Sequence, residues 1–226
     1  MGPLSGSRRC PKVVGYRNID QSNIGGQLHV ETGLDDDVVR LGHPTPPPSE
    51  GPAASVTDSV MQSEMMPSLR VARGVDIDLG AGHDEFFADA IKVNRGLSVN
   101  GGEGDDALHA YHAWVGGPLS LLGGGGDGAD NVDVARVRAG TAAVLTGAGS
   151  DHVRIVDSVF RGLGVVLGKG DDRLDLRGNT AQWAAFLGGD DTDVLHNRDG
   201  NRFKHRFVQG FEPLPKPAAE LDTTVA

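Results

Sequence analysis

A single cysteine, Cys10, is all the chain has, so an internal disulfide framework and Cys-based zinc sites are both excluded. Aromatic residues make up 5% and the whole apolar set 38%, which is too little for a thick globular core. Glutamate is scarce: the 31 acids divide into 24 Asp and 7 Glu, and Asp favours turns where Glu favours helices. No apolar run approaches the roughly 18 residues that a transmembrane helix needs, so no membrane insertion is expected. Arg8 and Arg9 are not followed by a hydrophobic stretch, and no signal peptide is legible. Either export proceeds without one or residue 1 is not the native start. Basic charge is also short, with 21 Lys and Arg against the acids and a net charge of −10. Nucleic acid and anionic membrane surfaces are therefore disfavoured as partners, and cations are the natural counterpart.

What the chain does have is glycine, 34 residues of 226, and a repeat. Gly101-Gly102-Glu103-Gly104-Asp105-Asp106-Ala107-Leu108 and Gly125-Gly126-Asp127-Gly128-Ala129-Asp130-Asn131-Val132 both read G-G-x-G-x-D-x-U, where U is aliphatic. Looser copies centre on Asp84, Asp151, Asp172 and Asp193, with a remote one on Asp37. Successive anchors from Asp84 to Asp193 lie 22, 24, 21, 21 and 21 residues apart, and Asp37 precedes Asp84 by 47. A fixed period in this range signals a repeat architecture.

The flanks repeat as well. Alternating apolar pairs precede the anchors by nine and seven residues, for example Val75/Ile77, Leu97/Val99 and Leu163/Val165. Leu119/Leu121 serves the Asp130 copy if its longer spacing is a two-residue insertion in the glycine run. Further pairs follow by two and four residues, such as Phe86/Ala88, Val132/Val134 and Leu174/Leu176. Each unit is a strand, a Gly/Asp turn and a second strand. Hairpins would alternate two kinds of loop, whereas here every unit carries the same one. The expected fold is all-β, a parallel β-helix with coils of about 21–24 residues stacked at roughly 4.8 Å. A weaker third strand is expected at Ile91/Val93, Val137/Ala139 and Val159.

The expected organisation is a poorly patterned segment over 1–22, a first divergent coil over 23–41, and a Pro-rich insertion or linker over 42–70. The main repeat domain follows over 71–200, a C-terminal cap over 201–212 and a loose tail over 213–226. Phe203, Phe207 and Phe211 recur every four residues, which predicts a helical turn covering the last coil.

The nonapeptide resembles the hemolysin-type (RTX) calcium-binding repeats of secreted bacterial toxins, proteases and surface proteins. That resemblance implies Ca²⁺ as cofactor, with Asp37, Asp84, Asp106, Asp130, Asp151, Asp172 and Asp193 as ligands beside turn carbonyls. It also implies an extracellular or cell-surface location, with protein or polysaccharide partners there. The chain departs from the family by having one motif per coil instead of tandem nonapeptides. Thr32, Leu79, Thr146 and Leu167 stand for the first glycine, and Asp35 and Asp191 for a later one.

Bare carboxylates stacked at roughly 4.8 Å would repel by about 0.9 kcal/mol in water, and more where the turn is shielded. Either a hard cation offsets this or each aspartate bonds the N–H groups of its own turn. Asp105, Asp127, Asp171, Asp190 and Asp191 add acid to the same turns. No enzyme motif emerges. His109 and His112 are three apart on a strand, which sends them to opposite faces as surface histidines. The G-x-G-x-x-G at Gly123–Gly128 has no helix after it, and Gly168-Lys169-Gly170 lacks the Ser or Thr of a P-loop. The sequence thus points to a noncatalytic structural or adhesion module. The alternatives are a parallel β-helix polysaccharide lyase or hydrolase, and a metal-free fragment of a larger repeat protein.

Overall fold

The computed structural model describes residues 17–19, 23–42 and 69–213. Among them the regular elements are strands, and their pairings are parallel. The strands that follow the anchor aspartates form one eight-stranded sheet, running from Arg17–Ile19 and Val38–Gly42 through Ala107–Tyr111 to Val194–Asn197. Each neighbours the equivalent strand one coil away, so Phe86, Leu108, Val132, Val153 and Leu174 stack in one inward column. The strands that precede the anchors form a second sheet, where Ile77, Val99, Leu121, Val144, Val165 and Phe186 form the facing column.

The chain is therefore a β-solenoid, and the reason is its period-2 patterning. Every coil offers a few apolar residues on the inner side of each strand, too few to bury alone, and stacking joins them into one continuous core. The register places Leu119 on Leu97 and Leu121 on Val99, so the extra two residues of the Asp130 coil lie in the glycine run, where the spacing put them.

The third strand exists. It is separate in the early coils, as Leu69–Val71 and Ile91–Val93, and later merges with the strand after it into single spans such as Trp114–Gly124 and Val159–Lys169. One residue is corrected: Phe160 is the buried member in its coil, and Val159 points outward. Residues 203–211 are corrected too. Arg202–Gln209 is a strand paired with Thr180–Asp190, not a helical turn, because the edge of the last coil offers a ladder of unpaired backbone groups that a strand satisfies. Phe203 packs edge-on to Phe186 with ring centroids 5.5 Å apart, and Phe211 also lies against the core, while Phe207 faces out. Most of the Pro-rich insertion and of the terminal segments lies outside the described residues.

Glycine is required where coils touch. Gly102 has φ of 120° and a Cβ there would sit 1.8 Å from the Gly80 carbonyl oxygen; Gly104 has φ of 114° and meets Gly82 in the same way. Gly102→Ala is expected to destabilise the chain by roughly 3 kcal/mol or more, since both backbone conformation and coil spacing must yield. Chemical denaturation measures this, and an Ala variant within about 0.5 kcal/mol of the parent would refute the close coil approach.

Candidate functional site

All seven aspartates singled out by the repeat fall in one line along the turn edge. None is more than 4% exposed, so the side chains point into the turn and not toward solvent. Their carboxylates are engaged in a regular way. The backbone N–H of each anchor donates to Oδ1 of the next coil's anchor: Asp84 to Asp106 at 2.9 Å, Asp106 to Asp130 at 2.9 Å and Asp130 to Asp151 at 2.8 Å. The line begins with Asp37 N–H to Asp84 at 2.6 Å. It continues through Asp151 to Asp172 at 2.7 Å and Asp172 to Asp193 at 3.1 Å, and ends with Asp193 N–H to Glu212 at 2.5 Å. The expected bond to an aspartate's own turn is seen at Asp37, whose Oδ2 accepts from Gly33 N–H at 3.0 Å. Elsewhere the donor is the neighbouring coil, because the parallel stack brings its turn closer in register than the residue's own.

The second carboxylate oxygen is different. Oδ2 of Asp84, Asp106, Asp151, Asp172 and Asp193 is buried without a hydrogen-bond partner. At Asp106 and Asp193 a glycine five residues upstream makes room for it, whereas Asp84 and Asp172 have Leu79 and Leu167 at that place. A Cβ on Gly101 would lie 2.1 Å from the Gly123 carbonyl oxygen and 2.3 Å from Asp106 Oδ2, and one on Gly188 1.8 Å from Gly210 O and 2.4 Å from Asp193 Oδ2. Two oxygens therefore crowd one small space with no donor between them. Where threonine replaces this glycine, at Thr32 and Thr146, its hydroxyl donates to the carbonyl of Leu79 or Leu167 one coil on.

An uncompensated buried oxygen resists charge. Burial pushes Asp84 and Asp106 up to about 6, and Asp130 and Asp172 to about 7, against the opposing hydrogen bonds from backbone N–H and with the neighbouring rungs adding to the rise. Asp151 and Asp193 are raised by the same cause. A proton on Oδ2, or a cation beside it, would relieve the site. Its donor chemistry, carboxylate plus main-chain oxygen throughout, suits a hard ion such as Ca²⁺. Among the described residues, no group of three or more His, Cys, Asp or Glu side chains comes together as a metal cage, so any cation here would rely heavily on main-chain oxygens.

A shallower ladder flanks the first, built from the residues just before the anchors. Asp105 Oδ1 accepts from Ala129 N–H at 2.8 Å and Asp171 Oδ1 from Thr192 N–H at 3.0 Å, both exposed. In this outer line the side chain receives from the following coil, the reverse of the inner one. Asp191 occupies a glycine's place in the turn, with φ of 78°.

A further ladder was not anticipated. At another corner, Asn179 Oδ1 accepts from Ser158 N–H at 3.0 Å while its Nδ2 donates to the Ile155 carbonyl at 2.6 Å. Asn201 repeats the arrangement one coil on, receiving Asn179 N–H at 2.8 Å and donating to Leu176 O at 2.9 Å. The spacings of 21 and 22 residues from Ser158 to Asn179 to Asn201 carried the signal.

The histidines need a correction. His109 is largely buried, its ring 5.9 Å from both Phe87 and Tyr111, and burial lowers its affinity for a proton. His112 has a side chain 11% exposed, takes a positive φ at a corner and bonds Asp89 at 2.8 Å. His109 is built into the outside of the first sheet by its aromatic neighbours, and His112 into the corner after it by Asp89 of the preceding coil.

The chain matches no family model, no curated protein and no solved structure. The class defined by its own geometry is the parallel β-solenoid with internal side-chain ladders.

Proposed function

We propose that this chain is a noncatalytic, calcium-binding β-solenoid module with a structural or adhesive role outside the cell. One observation carries the reading: a row of buried carboxylate oxygens, in glycine-lined turns, that lack any compensating donor. Calcium would be held by Oδ2 of the ladder aspartates together with turn carbonyls, and it would neutralise charge that folding otherwise has to suppress. An extracellular setting fits because weak oxygen sites of this kind fill only where free calcium is plentiful.

A calcium titration with metal analysis tests this. In excess chelator against millimolar Ca²⁺, one site filled to a hundred times its Kd adds about 2.7 kcal/mol, or roughly 5–10 °C in Tm for a chain of this size. Unchanged Tm and no bound metal would remove calcium from the reading. A metal-free ladder is the second reading, favoured by the backbone N–H that Oδ1 of each anchor from Asp84 to Asp193 already accepts.

Support for a noncatalytic role comes from the lateral grooves. Among the described residues, one such groove is lined by a single carboxylate, Asp76, and a second by none. A glycosidase or lyase requires a general acid and base facing each other across the substrate.

A further inference from the structure

The net charge of −10 conceals a face of opposite sign. The bridging strands and the bends after them span 69–74, 91–96, 113–118, 137–141, 158–162, 179–184 and 201–206. Those segments hold no Asp or Glu and nine Lys or Arg. Backbone register aligns Arg70, Lys92, Trp114 and Arg138 in one outward column, with Arg202 further along it. Arg73 and Arg95 follow in the bends, and Arg161 lies within the strand Val159–Lys169.

Several cations elsewhere are neutralised: Arg40 pairs with Glu85, Arg154 with Asp133 and Arg173 with Asp175. Among the described residues no carboxylate pairs with Arg73, Lys92, Arg95, Arg138 or Arg161; Lys92 instead lies 4.7 Å over the Trp114 ring. Arg73 and Arg95 occupy equivalent bends of successive coils, where like charges at roughly 4.8 Å oppose folding by about 0.9 kcal/mol in water. Residues that weaken the fold locally are characteristic of a binding surface.

The same face is grooved. Arg73, Asp76, Arg95, Ser98 and Ser120 line a groove of about 470 Å³, with Asp76 paired to His29 at 3.2 Å, and Thr141, Trp183, His205 and Arg206 line another of about 490 Å³. Ser98, Ser120, Ala143, Gly164 and Ala185 follow Asp76 in one outward column, so a strip of small residues joins the two grooves along one face as a shallow channel. Trp183 is 61% exposed at its end, stacked on the His205 ring with centroids 4.0 Å apart and planes at 16°.

We propose that this channel binds a linear acidic polysaccharide, with its carboxylates on Arg73 and Arg95, its hydroxyls along the serine floor and a sugar ring on Trp183. A floor of small residues with hydroxyls at Ser98 and Ser120 and an aromatic platform at one end suits a hydroxyl-rich chain of moderate charge density. A nucleic-acid strand is the poorer fit, since it calls for stacking partners at successive bases, and the highly acidic turn edge would repel its denser charge. This inference rests on the noncatalytic part of the reading above and is independent of calcium.

The test is calorimetric binding of oligogalacturonates too short to gel, with folding followed by circular dichroism. The parent chain should bind them, more weakly as salt rises. Arg73→Ser with Arg95→Ser should lower affinity at least tenfold, as expected for two lost charged hydrogen bonds, with Tm unchanged or raised. Trp183→Ala should weaken binding by about tenfold, the effect of one lost stacking contact. No binding by the folded parent, variants that bind as the parent does, or a thymidine oligonucleotide binding equally well would each overturn the proposal. Binding followed by cleavage would support the site while refuting the noncatalytic role.

Discussion

In excess chelator the chain should melt at a lower temperature at pH 8 than at pH 5. Asp84 and Asp106 titrate near 6, and Asp130 and Asp172 near 7, in the folded state, all against an ordinary value of 3.8. A carboxyl whose folded value is raised binds its proton more tightly when folded, so its contribution is fully present below about pH 4. That contribution drains away as pH climbs through 6 and 7. His29, raised by its hydrogen bond to Glu31, acts in the same direction, and His109, lowered by burial, acts in the opposite one, a single group against four. Asp175 does not interfere: burial pushes it up, but bonds from Arg173, His152 and His196 outweigh this and hold it at about 2. Its stabilising effect is lost only as pH falls from about 4 toward 2. The turns sit at the surface, where solvent screens part of the cost. The expected loss between pH 5 and 8 is on the order of 3 kcal/mol, or roughly 6–12 °C. Millimolar calcium should flatten this profile, because a cation beside Oδ2 does the work of the proton. A melting temperature independent of pH in chelator would show that the buried oxygens are compensated in some other way.

Asp106→Ala and Asp106→Asn should separate sharply. Alanine removes the acceptor of Asp84 N–H and leaves a buried donor unpaired beside a small void, a loss of about 2–4 kcal/mol. Asparagine keeps that acceptor and brings an N–H₂ donor into the space beside Gly101, where Asp106 Oδ2 would lie 2.3 Å from an added Cβ. In chelator at pH 8 the Asn variant should be as stable as the parent or more so, with a shallower dependence on pH. It should also forfeit part of the stabilisation by calcium, since an amide carries no charge to attract the ion. Asn179 and Asn201 already hold these two bonds at another corner of the same coils. An Asn variant as unstable as the Ala variant would mean that the second oxygen is not the uncompensated group described here. Urea unfolding of both variants, with and without chelator, decides it.

The two experiments bear on different links of one chain of causes. The pH profile reports the charge state of the ladder as a whole, and the paired substitutions report the bonds at a single rung. Together they separate a ladder held by protons from one held by calcium, since only the latter loses stability on chelation at every pH where the carboxyls are ionised.

Much of the fold is legible in residue spacing. Inward pairs such as Ile77, Val99 and Val165 fall at fixed offsets from the anchors, and strands alternate their faces with a period of two, so coil boundaries and core follow from spacing alone. Even the two-residue insertion of the Asp130 coil was readable, because apolar pairs on both sides of it stay in phase. Val159 and Phe160 were not separable, since adjacent apolar residues in one strand leave its phase undetermined. Phe203, Phe207 and Phe211 misled for a related reason: the four-residue spacing suits a helix, whereas the free edge of Thr180–Asp190 recruits a strand.

The anchor aspartates were identifiable by position, but not by what each oxygen does. Local sequence predicts an Asx-type bond within the turn, and only the parallel stack places the neighbouring coil's N–H nearer to Oδ1 and leaves Oδ2 enclosed. The basic channel lay equally hidden. Its cations are scattered over 130 residues of an acidic chain, and composition records only their sum. The sequence by itself determined the period, the inward residues and the line of aspartates, because these depend on spacing along the chain. Tertiary structure alone decided which groups face each other across coils, because hydrogen bonds and charge pairing depend on distances of a few ångströms between residues some twenty positions apart.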